Sequence, residues 1–164
     1  MRRFVLGWKT LGHETRFQAR IVNYADDFVI CCRRHSQQAA EAMRNMMSKL
    51  KLTVNEEKTH VCKLPEETFD FLGYTFGEVC SWKTGARYLS ERPSKKKVQA
   101  FRRRISELTA RRWCWREAED LVAQLNRMLV GWANYFCRGP VGKTYSIINK
   151  HTRRRLRRWL CDKH

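Results

Sequence analysis

Between Phe17 and Arg33 the chain reads FQARIVNYADDFVICCR, two runs of β-branched, aromatic and other apolar residues interrupted once, at Ala25, Asp26 and Asp27. That pattern predicts a β-hairpin over 17–33 with those three residues as its turn. Before it, MRRFVLGWKTLG reads as a short helix closed by Gly12. After it, Ala39, Ala40, Met43, Met46, Met47 and Leu50 recur at helical spacing behind Ser36, so an amphipathic helix with a serine N-cap is expected to pack on the sheet. LTVNEEKTHVCKL and FDFLGYTFGEVCSW predict two or three further strands, broken by Pro65, Gly73, Gly77 and Gly85.

From Pro93 the period changes. SKKKVQAFRRRISEL carries an apolar line at Val98, Phe101, Ile105 and Leu108 behind a capping Ser94. A second helix is expected from about Trp115 to Cys137, ended by Gly139-Pro140, and a third from about Lys143 to Asp162. On the third, Tyr145, Ile148, Thr152, Leu156 and Trp159 share one face, while Lys150, Arg153, Arg154, Arg157 and Arg158 occupy the opposite arc. The expected fold class is α+β: an antiparallel sheet with a helix over 1–92, then an all-α three-helix bundle over 93–164.

Charge sharpens this division. Residues 1–92 hold 15 Lys+Arg against 11 Asp+Glu, net +4, and residues 93–164 hold 19 against 5, net +14, within a total of +18. A polyanion is the expected partner of the second half, and phosphate contacts with counterion release make nucleic acid the first candidate. An anionic membrane surface would also attract this charge. Six tryptophans and the lack of a purely amphipathic terminal helix speak against it. No run approaches the roughly 20 apolar residues that span a bilayer, and no signal peptide is legible, so a cytoplasmic location is the default. Seven cysteines without a CxxC pair suggest neither a disulfide framework nor a zinc site.

The adjacent acids have two explanations. Aspartate is common in turns. Alternatively, acids flanked by apolar strands lie beside a buried sheet, where like charges are costly unless a cation neutralises them. Carboxylates clamping two Mg²⁺ ions are a recurring solution for in-line phosphoryl transfer.

Tyr24-Ala25-Asp26-Asp27 resembles the YADD signature of reverse transcriptases. LTVNEEKTHV and FDFLGYTF resemble the segment after the palm helix and the primer-grip hairpin of group II intron reverse transcriptases. LNRMLVGWANYF and RRRLRRWL resemble their thumb and maturase-specific region, domain X. The resemblance covers essentially the whole chain. It implies the end of a palm over 1–92 and a thumb/maturase domain over 93–164, with RNA-templated DNA synthesis and intron splicing as the activities of the complete protein.

Carried over residue by residue, the resemblance makes Asp26 and Asp27 catalytic Mg²⁺ ligands. It brings Tyr24, Phe71, Leu72, Gly73 and Tyr74 near the primer end. It turns Lys58 toward the triphosphate, although a solvated lysine after two glutamates is the plainer reading. Independently of the resemblance, the charge geometry makes Lys95, Lys96, Lys97, Lys150, Arg153, Arg154, Arg157 and Arg158 expected RNA contacts, and Asn134, off the apolar face of its helix, is free to join them. Trp132 and Phe136 share the face of Leu125 and Leu129 and read as core. The arc over 150–158 contains no acid to form i,i+4 pairs, so its cations repel one another unless phosphates bind.

The family's palm carries another aspartate on an earlier strand, and no acid before Arg20 can replace it, Glu14 falling in a turn-like stretch. An incomplete palm is therefore expected, holding Mg²⁺ weakly and unable to polymerise DNA alone, with a separately encoded N-terminal part as a conceivable partner in trans. A non-enzymatic RNA-binding splicing factor and an inactive decayed fragment are the alternatives.

Overall fold

The computed structural model describes residues 1–81 and 83–163, and the chain forms two compact units, Met1–Cys62 and Lys63–His164. In the first, helix α1 (Arg2–Thr10) places Phe4 and Trp8 four residues apart on one face, both fully buried. Gly12, at φ +69°, turns the chain into the single-turn α2 (His13–Arg16). Strands β1 (Ala19–Tyr24) and β2 (Asp27–Cys32) pair antiparallel, from Ala19 opposite Cys32 to Tyr24 opposite Asp27. The turn thus contains Ala25 and Asp26 only, and Asp27 is already the first strand residue. Period-2 alternation sends Ala19, Ile21, Phe28, Ile30 and Cys32 into the core with Phe4, Trp8 and Phe17. Arg20, Val22 and Tyr24 on the other face are exposed.

Helix α3 (Ser36–Lys49) closes this core with Ala39, Met43 and Met47. Its cap is not Ser36 as expected. His35, at φ +59°, holds the N-cap position without a side-chain cap bond, so Ser36 is already helical. The strand expected in LTVNEEKTHVCKL is absent over residues 52–62. Asn55 accepts the Lys58 amide through both its carbonyl and its Oδ1, each at 3.2 Å, and the Thr59 hydroxyl bonds its carbonyl at 2.8 Å. Such local bonds compete with a ladder. Arg44 on α3 holds the same segment by a two-pronged pair with Glu56, at 3.1 and 3.0 Å.

In the second unit, β3 (Phe69–Phe71), β4 (Tyr74–Cys80) and β5 (Arg87–Pro93) form a separate antiparallel sheet in that order. The strand reading of FDFLGYTFGEVCSW ends on Trp82, which lies outside the described residues. The β3–β4 connection is the two-residue Leu72-Gly73, at φ +51° and +83°, a primed turn that suits the twist of paired strands.

Three helices follow, α4 (Lys95–Leu108), α5 (Ala118–Tyr135) and α6 (Gly142–Lys163). Ser94 caps α4 as expected, accepting the Lys97 amide at 3.3 Å. The second helix starts at Ala118 rather than about Trp115 because Arg111–Trp113 form a separate 3₁₀ turn. One core joins Phe101 and Ile105, Leu121 and Leu125, and Ile148 and Trp159, so each helix contributes its apolar stripe. The Trp132 ring stacks on Phe101 at 5.2 Å and meets Phe136 at 4.5 Å, in keeping with the core reading of both.

The fold class is α+β, with strands in two small sheets rather than one because residues 52–62 do not continue the first. No described helix is long and apolar enough to cross a membrane.

Candidate nucleic-acid interface

At the tip of the first hairpin, Tyr24 and Asp27 face each other across the register and Asp26 lies in the turn; all three are exposed. This corrects the expectation that the acids lie beside a buried surface. Water screens their mutual repulsion, so the fold does not require a cation between them. Ala25 takes φ +51°, a region costly for a side chain with a Cβ, and so the backbone strain falls inside the YADD tetrad itself. Among the described residues no group of three or more His, Cys, Asp and Glu side chains comes together. The pair therefore does not make a full cation site from described residues, and no chemical step is assigned through a metal. Lys58 is exposed in the turn behind Asn55.

Phe71, Leu72, Gly73 and Tyr74 belong to the second unit, where they are half-buried against the helices. The Ser94 amide donates to the Gly73 carbonyl at 2.9 Å, and a Cβ on Gly73 would come within 3.2 Å of the Lys97 side chain and 3.4 Å of the Phe136 ring. Glycine is needed here both for its φ and for that closeness. Tyr74 donates its phenol to the Tyr135 carbonyl at 2.6 Å, and burial raises its pKa above the ordinary tyrosine value.

On the bundle, Lys150, Arg153, Arg154, Arg157 and Arg158 are all exposed, and none pairs with an acid among the described residues. Lys95, Lys96 and Lys97 are exposed in the first turn of α4, where the helix dipole disfavours cations and no acid offsets them. Asn134 is exposed on α5. Arg103 and Arg104, exposed on α4, enlarge the cationic surface and were overlooked in the sequence, although the run Arg102-Arg103-Arg104 signals them.

Arg155 has a different task. Its Nε donates to Thr109 Oγ1 at 3.0 Å, and its Nη2 to the carbonyls of Ser106 at 3.0 Å and Thr109 at 2.7 Å, capping the last turn of α4. Beside it, His151 Nε2 lies 3.1 Å from the Arg102 carbonyl and 2.9 Å from Ser106 Oγ. A carbonyl only accepts, so Nε2 carries the hydrogen and the partnerless buried Nδ1 is a bare acceptor. Burial lowers the His151 pKa.

The comparisons divide the chain in the same order. A reverse transcriptase (RNA-dependent DNA polymerase) model matches residues 5–76, and a group II intron, maturase-specific domain model matches residues 98–164. The chain belongs to the group II intron reverse transcriptase/maturases. No curated protein matches it. In this reverse transcriptase/maturase the YADD hairpin, Lys58 and Phe71–Tyr74 fall within the polymerase match. Asn134 and the arc over 150–158 fall within the maturase match, and Lys95–Lys97 lie just before it. Membership makes nucleic acid, intron RNA included, the partner class, and Mg²⁺ is the metal generally used by reverse transcriptases.

Proposed function

We propose that this chain holds group II intron RNA, or an RNA template paired to a DNA primer, mainly through phosphate contacts made by the basic surface of the 93–164 bundle. The observation that carries the reading is the α6 arc: five exposed cations with no acid partner among the described residues, on a helix anchored from its other face by Ile148, Thr152 and Trp159. Lys95, Lys96, Lys97 and Asn134 extend the surface. Asp26 and Asp27 are the inherited metal-ligand positions, Tyr24 and Phe71–Tyr74 the primer-end positions, and Lys58 the residue toward the triphosphate. This functional division stays at 92/93, and it differs from the compact-unit border because β3–β5 pack with the helices of the second unit.

The test is titration of a structured intron RNA at several salt concentrations. Replacing Arg153, Arg154, Arg157 and Arg158 together by Gln should lower the magnitude of the salt slope by about 3, each lost phosphate contact removing roughly 0.7 to 0.9. An unchanged slope with unchanged affinity would make the arc a solvated surface. Primer extension with Mg²⁺ by the chain alone is expected to be absent; extension abolished by Asp26→Ala would instead establish an active polymerase.

A further inference from the structure

The bundle exposes a large aromatic side chain that phosphate contacts do not use. Trp115 is 73% exposed, the most exposed large apolar side chain among the described residues. It stands on a braced connection between α4 and α5. Three backbone bonds wind that connection: Trp113 to the Ala110 carbonyl, Cys114 to that of Arg111, and Arg116 to that of Trp113, at 2.9, 3.0 and 3.1 Å. The Cys114 thiol approaches the Trp159 carbonyl at 3.9 Å, and Lys163 Nζ donates to the Arg116 carbonyl at 2.6 Å, which ties the connection to the last turns of α6. The guanidinium groups of Arg112 and Arg116 lie 5.6 and 5.9 Å from the centroid of the Trp113 ring, and Arg116 also donates to Gln124 at 3.1 Å. Trp115 meets Trp113 at 6.1 Å with the planes tilted by 52°, so the two indoles do not stack face to face.

We propose that Trp115 is a stacking platform for an unpaired RNA base, with exposed Arg111 and Arg112 receiving the adjoining phosphates. The proposal rests on the RNA reading above and adds a recognition mode to it. Every base offers a π-face, and an indole carried on a backbone already fixed by these bonds loses less entropy on binding one. The acids that follow in sequence, Glu117, Glu119 and Asp120, are exposed and favour the N-terminus of α5. They disfavour an anionic membrane surface and any phosphate on the α5 side of Trp115, so a neutral base suits the ring while the adjoining phosphates fall to Arg111 and Arg112, which precede it.

Two RNA hairpins of equal length, one fully paired and one carrying a run of unpaired adenosines, would be titrated with the full chain. Trp115→Ala should weaken binding of the second roughly 5- to 100-fold, the loss that stacking free energies imply. It should leave the paired hairpin unaffected and the salt slope unchanged, since no phosphate contact is lost. Trp115→Phe should recover most of the affinity. Equal losses on both hairpins, or no loss on either, would overturn the proposal. So would a change of oligomeric state with RNA affinity intact, which would assign the ring to a protein contact. Wild-type binding of both hairpins with no Trp115 effect on either removes this inference alone, whereas failure of the wild-type chain to bind either hairpin removes the phosphate reading together with it.

Discussion

Tyr74 and Tyr135 are joined by reciprocal bonds: the Tyr74 phenol donates to the Tyr135 carbonyl at 2.6 Å, and the Tyr135 phenol donates to the carbonyl of Leu72 at 2.9 Å, the residue two before Tyr74. The turn of the β3–β4 hairpin and the end of α5 are thereby fixed to each other within the second unit. Tyr74→Phe and Tyr135→Phe should each destabilise by about 1 kcal/mol, the usual net value of one hydrogen bond. The double variant should lose less than the sum, because the bonds brace the same contact. Urea unfolding of the four proteins gives the comparison.

Gly139 reinforces the same junction. At φ +73°, its position would drive a Cβ into the Glu91 carbonyl oxygen on β5. Backbone strain and overpacking then act together, so Gly139→Ala should destabilise by about 3 kcal/mol or more. A chain beginning at Lys63 keeps this contact and should unfold cooperatively, as circular dichroism during thermal melting would reveal.

Arg155 stands among five arginines but should behave unlike the other four. Arg155→Met removes three bonds to the end of α4 and should cost about 2 kcal/mol of stability. The RNA salt slope should not change. A reduced slope at unchanged stability would place Arg155 with the phosphate contacts instead.

His151 supplies a pH dependence. Its folded pKa is lowered, first by burial, which outweighs the opposing effect of its bond to the Arg102 carbonyl, and then further by the charges of Arg102, Arg154 and Arg155. The unfolded chain therefore binds the proton more readily. Stability falls as pH drops below the unfolded histidine value of about 6.5, and that loss levels off once the folded group also protonates. Urea midpoints compared at neutral and mildly acidic pH should converge for His151→Gln.

Ala25 keeps φ +51° at the YADD turn. Ala25→Gly should stabilise the hairpin by about 0.5 to 1 kcal/mol, the relief of the left-handed strain less the added entropy of glycine. Hydrogen exchange of the Val22 and Val29 amides, on facing strand positions, would register the gain.

The chain by itself determined the elements whose signals are local and periodic. The hairpin around Asp26, the stripe of α3, the Ser94 cap and the three bundle helices follow from residue spacing, because a helix or hairpin buries one face whatever lies beyond it. The YADD tetrad and the two basic runs are likewise visible as residues. The tertiary structure decided what those residues touch. Only packing distinguishes Arg155, bound to the end of α4, from its exposed neighbours. Tertiary contacts such as the Tyr74–Tyr135 bonds and the closeness of Gly139 to Glu91, invisible in residue spacing, place the second sheet with the helices. The capture of residues 55–59 by Asn55 defeats a strand pattern that its composition supports, because side-chain and backbone acceptors already at hand compete with a ladder. Asp26 and Asp27 are exposed even though Ile21, Phe28 and Ile30 of the same hairpin reach the core, because the strands bury one face only and the acids sit at the turn, beyond that packing.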